Sequence, residues 1–185
     1  MKQITLQEIR ELNPCYDPAK FLSEDWTGTV IDILNVKECP AEDRLWVVLR
    51  EEFIDAKTLR LFAVWCAREA LKLVENPDVR SIDACNVAER YANGEATDEE
   101  LSAAWDAASA AWDAASDTWA AWAAWAAWAA SAARAASAAW DANAARAAWD
   151  AWDAWDARAA WDASAARAAR AARAAQINQL IKMLL

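Results

Sequence analysis

The chain has 185 residues, 29 acidic and 19 basic side chains for a net charge of −10, four cysteines, two glycines and no histidine. That length accommodates one domain plus an appendage. The lack of histidine excludes Ser-His and Cys-His dyads and removes the usual zinc ligand, while two glycines exclude a phosphate-cradling loop of the GxGxxG or P-loop kind.

Charge is unevenly placed. Residues 1–102 carry 21 acidic and 12 basic side chains, whereas residues 103–185 carry 8 and 7. An acidic front half argues against nucleic-acid binding, which needs a basic footprint. Met1 to Arg10 is polar and has no apolar stretch of the secretory kind, so a cytoplasmic location is expected. Cys15, Cys39, Cys66 and Cys85 form no CxxC pair; reduced thiols are the expectation, and the spacings give a four-cysteine zinc site no support. No cofactor and no metal are expected.

In chain order, Thr5-Leu-Gln-Glu8 reads as a capping box opening a short helix that stops at Asn13-Pro14. A loop with Tyr16, Pro18 and Gly28 follows, then a short apolar segment, Val30 to Leu34. Pro40 suits the first turn of the next helix, whose apolar side includes Leu45, Trp46, Leu49 and Phe53. Asp55 is placed to cap the strongest core helix, with Leu59, Phe62, Ala63, Cys66, Ala70 and Leu73 at helical spacing and an end before Pro77. A further helix from about Val79 to Tyr91 closes on Asn93-Gly94. Carboxylates such as Asp43, Glu51, Glu52 and Asp55 flank these helices as solvated faces do, and Cys66 and Cys85 read as small core hydrophobes before nucleophiles. An enzyme is not expected.

Thr97-Asp-Glu-Glu100 is a second capping box. Behind it, Trp105, Ser109, Trp112, Ser116 and Trp119 alternate by four and three, a heptad that can lie on a core. From Trp119 to Gln176 the chain becomes an uninterrupted triplet, X-Ala-Ala or X-Asp-Ala, with X being Trp, Ser, Arg or Asn. Alanine content and the absence of Gly and Pro make α-helix the best reading. Three residues advance about 300°, so each X falls about 60° behind the last and the tryptophans wrap the cylinder. Unbroken, residues 98–175 would form a rod of about 115 Å. Thr118 to Ala133 is the longest uncharged run, shorter than the about 20 residues a membrane span needs. The tail residues Ile177, Leu180, Ile181 and Leu184 are amphipathic and want an apolar partner. Arg167, Arg170, Arg173 and Lys182 suit compensation of a helix C-terminus.

The stretch DRLWVVLREEFIDAKTLRLFAVWCAREALKLVENPDVRSIDACNVAERYANGEATDEEL (Asp43 to Leu101), followed by an alanine-rich aromatic repeat, resembles an immunity-protein-like family of bacteria and phages. Ala88-Glu89-Arg90 and Ala92 to Thr97 match its AERxANGEAT signature, and LNPCYDP (Leu12 to Pro18) is similar to its phage-borne members. The resemblance implies a helical core and binding and neutralising of a toxin, with no catalytic residues. The strict triplet departs from the mixed four- and three-residue spacing of that family.

The expected fold is therefore all-α: an N-terminal helical domain, residues 1–96, and an Ala/Trp repeat helix with an amphipathic tail, residues 97–185. The expected function is a non-enzymatic protein-interaction module, toxin-neutralising or phage accessory in kind, with Trp119, Trp122, Trp125, Trp128, Trp140, Trp149, Trp152, Trp155 and Trp161 as the candidate interaction residues. The alternative is a self-assembling structural protein whose repeat drives oligomers or filaments. Each Trp can bury about 150–250 Å², more in sum than a soluble monomer leaves wet. Enclosure of the repeat by the N-terminal domain and by further copies, in a homo-oligomer, is expected; neutral repeat expansion filtered for helicity and solubility is the competing account.

Overall fold

The computed structural model describes residues 1–72, 74, 76–113 and 165–185. They are mostly helical. The elements are β1 (Ile4–Thr5), α1 (Leu6–Glu11), a 3₁₀ turn (Pro18–Lys20), β2 (Thr27–Gly28), α2 (Val30–Leu34), α3 (Ala41–Val48), α4 (Ala56–Leu71), α5 (Val79–Ala92), α6 (Asp98–Asp113) and α7 (Ala165–Leu184).

Local hydrogen bonding accounts for most of the helix starts. Thr5 and Glu8 bond reciprocally at the head of α1, with Thr5 N donating to Glu8 at 2.8 Å. Asp55 caps α4 by accepting from Thr58 N at 2.9 Å. Thr97 and Glu100 form the box ahead of α6. Each satisfies backbone donors that a helix start leaves open. The end of α5 is a Schellman turn: Gly94 takes φ +76°, Gly94 N donates to Tyr91 O, and Glu95 N donates to Arg90 O at 2.8 Å.

Two expectations need correction, and one segment whose structure was open is assigned. The fold is not purely helical, because Ile4 and Thr5 pair antiparallel with Gly28 and Thr27. Gly28 is required there by close approach, since a Cβ would meet the Trp26 ring at 2.6 Å. Val30 to Leu34 is a helix, launched by a capping box of Thr29 and Asp32 in which Asp replaces the commoner Glu or Gln. The helix after Pro40 stops at Val48, short of Phe53. Leu49 adopts φ −76°, ψ 64° and Arg50 N donates to Val48 O at 2.8 Å, an inverse γ-turn. The turn lets both Leu49 and Ile54 enter the core, at 0% and 2% exposure.

α4 lies at the centre, with Leu59, Phe62, Ala63, Val64, Cys66, Ala67 and Ala70 all buried. Leu73, expected in the same stripe, lies outside the described residues. α5 packs on α4 and on α6. Its inward residues are small (Ser81, Ala84, Cys85, Ala88, Ala92), as are Ala108 and Ala111 of α6. Small faces let helix axes approach closely, and Arg90 ties the connecting turn by donating to Glu95 O and Glu100, both at 3.0 Å. Of the heptad residues whose burial is described, Trp105 and Ser109 are half-buried, and the fully covered positions of that stretch are the alanines Ala108 and Ala111.

α7 docks against α2, α3 and α4. Ala172, Gln176, Ile177 and Leu180 form its inward face. Leu101 of α6 and Ala172, Ile177 and Leu180 of α7 belong to one core cluster with Ile4, Leu45 and Phe62. One straight helix over 98–175 would separate Leu101 from Ala172 by roughly 105 Å. α6 and α7 are therefore not segments of a single rod. The remainder of that expected helix, residues 114–164, lies outside the described residues. No helix among the described residues is long and apolar enough to cross a membrane.

Candidate functional site

The nine tryptophans expected to carry interaction, Trp119 to Trp161, all lie outside the described residues. What the structure assembles instead is a cavity between the loop after α1 and helix α3.

The loop is built by three local devices. Asn13 turns the chain with φ +54°, a conformation asparagine tolerates. Asp17 caps the 3₁₀ turn by accepting from Ala19 N at 3.0 Å, with Pro18 in the first position, where its missing N–H costs nothing. Arg10 of α1 then donates twice to Asp17, both at 3.0 Å, and twice to Glu24, both at 2.9 Å. A planar guanidinium forked onto two carboxylates fixes direction as well as distance, so both ends of the loop are held to one side chain. These hydrogen bonds keep the Asp17 and Glu24 carboxyls below their ordinary range.

So fixed, the loop turns Tyr16 and Phe21 edge to face at 5.7 Å, with Lys20 Nζ 5.3 Å from one ring centroid and 5.2 Å from the other. Tyr16 reaches α3, where its hydroxyl donates to Asp43 Oδ2 at 2.5 Å and lies 3.9 Å from Cys39 Sγ. Arg44 anchors the start of α3 by donating from Nη1 to the Leu34 carbonyl at 2.6 Å. The cavity that results has a volume of about 210 Å³, with Ile9, Phe21, Ile33, Val36, Trp46 and Val47 among its apolar walls and Tyr16, Cys39 and Asp43 as a polar end.

Burial, reinforced by the hydrogen bond to Asp43, pushes the Tyr16 hydroxyl up. Burial likewise pushes the Cys39 thiol up, against the smaller opposing effect of its contact with the Tyr16 hydroxyl. Both groups keep their protons at neutral pH and are poor nucleophiles; the arrangement is suited to holding an apolar group with a polar edge. Among the described residues no group of three His, Cys, Asp or Glu side chains is placed to hold a metal. None of the four cysteines is in a disulfide, and Cys66 and Cys85 are buried as expected of core residues.

Sequence reasoning placed Tyr16 and Pro18 in a loop and Asp43 on a charged helix face, and did not bring them together. Asp17-Pro18 was the available signal, an Asx cap followed by a preset φ; the partner 27 residues away had none. Of the flanking carboxylates, Asp43 enters the cavity and Asp55 is the α4 cap. No family model, curated protein or solved structure matches the chain.

Proposed function

We propose that the protein is a non-enzymatic interaction module, in which a helical body holds both flanks of the Ala/Trp repeat and the tryptophans engage a protein partner. The observation that carries this reading is the common core: Leu101 on one side of the repeat and Ala172, Ile177 and Leu180 on the other are buried in one cluster. The resemblance of Asp43 to Leu101 to immunity-protein-like chains makes a toxin-like protein the leading partner. Further copies of the chain are the second partner, consistent with the apolar area that eleven tryptophans from Trp105 to Trp161 carry. A cytoplasmic setting, with neither nucleic acid nor membrane as partner, completes the reading.

The test compares the natural chain with one in which the nine tryptophans become alanine, a change that preserves helix propensity. Host proteins captured at fixed stoichiometry by the first and lost by the second are the expected result. A strictly monomeric natural chain that captures nothing would overturn the proposal. Concentration-dependent homopolymers without a foreign partner would replace it with self-assembly.

A further inference from the structure

The cavity beneath Tyr16 has four properties that together restrict its ligand. Its volume is about 210 Å³. An apolar protein cavity of about 150 Å³ takes a benzene, whereas drug-sized ligands occupy about 300 Å³ or more. The space therefore suits a single fused bicycle. Its walls include the flat rings of Tyr16, Phe21 and Trp46 and those of Pro14 and Pro18, which favour an aromatic guest that can stack or meet them edge-on.

The polar end offers acceptors. Tyr16 spends its proton on Asp43, leaving the phenol oxygen and the remaining lone pairs of an acceptor-only carboxylate. Charge is locally balanced: Arg44 lines the cavity with Glu42 and Asp43, and Glu42 pairs with Arg173 of α7 at 3.7 Å. The two carboxylates and two guanidiniums sum to zero, which favours a neutral guest over an ion of either sign.

We propose that this cavity binds a neutral bicyclic aromatic group with one hydrogen-bond donor on its rim, of which indole is the simplest, its N–H donated to the Asp43 carboxylate. That group exists both as a free small molecule and as the side chain of a tryptophan in a polypeptide. The inference stands on the cavity alone and does not rest on the interaction proposal above.

The experiment is fluorine NMR of 5-fluoroindole titrated with the full chain, read together with the methyl signals of Ile33, Val36 and Val47. Saturable binding that shifts those methyls is expected. Because a hydrogen bond to a charged group is lost, 1-methyl-5-fluoroindole should bind about tenfold more weakly or worse. Val36→Phe, which fills the space, should abolish binding. The methyl shifts in the natural chain keep the test decisive if that variant fails to fold. No saturable binding, binding that leaves the three methyls unmoved, or equal affinity for the methylated ring would each overturn the proposal. N-acetyl-5-fluorotryptophanamide separates the two sources: its binding assigns the cavity to a polypeptide tryptophan, its exclusion alongside indole binding assigns it to a free molecule, and both uphold the assigned chemistry.

Discussion

Replacing Leu180 with alanine tests whether α7 is held to the body. Leu180 is 0% exposed and packs in the cluster that contains Leu45, Phe62 and Leu101. Truncating a buried leucine forfeits its transfer free energy and leaves a cavity, together about 2–5 kcal/mol. Leu180 sits about one turn from the end of α7 at Leu184, where the helix can settle into the gap, so the lower part of that range, about 2–3 kcal/mol, is expected. Against a total stability of about 5–15 kcal/mol this is a large fraction. With a urea slope of about 1–3 kcal/mol per molar, the unfolding midpoint should fall by about 0.7–3 M. Asn178→Ala, at an exposed position of the same helix, should stay within about 0.5 kcal/mol of the natural chain. Hydrogen exchange should speed up most in α7 and least in α4, if undocking precedes global unfolding. A Leu180→Ala midpoint no lower than that of Asn178→Ala would refute the docking of α7, and with it the shared core on which the two-anchor proposal depends.

Gln176, one turn earlier, is 0% exposed and neither Oε1 nor Nε2 has a hydrogen-bond partner among the described residues. Gln176→Met keeps the unbranched shape and removes the desolvated amide, so stability should rise by about 1–3 kcal/mol; a lower melting temperature would contradict this. Arg10 holds Asp17 and Glu24 below their ordinary carboxyl range by hydrogen bonding. Depressed folded values contribute stability above the unfolded values of about 4 and lose it as pH falls through the folded ones. The gap in urea midpoint between the natural chain and Arg10→Gln should therefore be level near neutrality and close below about pH 4; a gap that widens in acid would be inconsistent. Thiol accessibility gives a further check: Cys15 is exposed and Cys39 half-buried with its thiol pushed up, while burial lifts the Cys85 thiol to about 12. An aromatic disulfide reagent at about pH 8 should modify Cys15 first, Cys39 slowly, and Cys66 and Cys85 only in denaturant; early reaction of Cys85 would place it at the surface.

How the sequence and the tertiary structure divide the work is clearest at the helix ends. Thr5 and Glu8, Asp55 and Thr58, Thr97 and Glu100, and Asn93-Gly94 were legible because each device is completed within a few residues. The apolar stripe of α4 was legible for the same reason, as its period is a property of one segment. The inverse γ-turn at Leu49 was not, because what rewards stopping at Val48 is the burial of Leu49 and Ile54 among residues far away in the chain. The cavity was hidden likewise: Tyr16 and Asp43 carry no local sign of each other. α7 is the sharpest case. An X-Ala-Ala triplet rotates its marked residue by about 60° each time and so prefers no face; Ile177 and Leu180 were legible as the apolar side of the tail, but only contact with α2, α3 and α4 selected Ala172 and Gln176 as inward residues. The sequence by itself determined the helix ends that are capped locally and which helix must be central. Tertiary packing decided that both flanks of the repeat share one core, because burial is a property of distant residues meeting and a repeating local pattern holds no information about which ones meet.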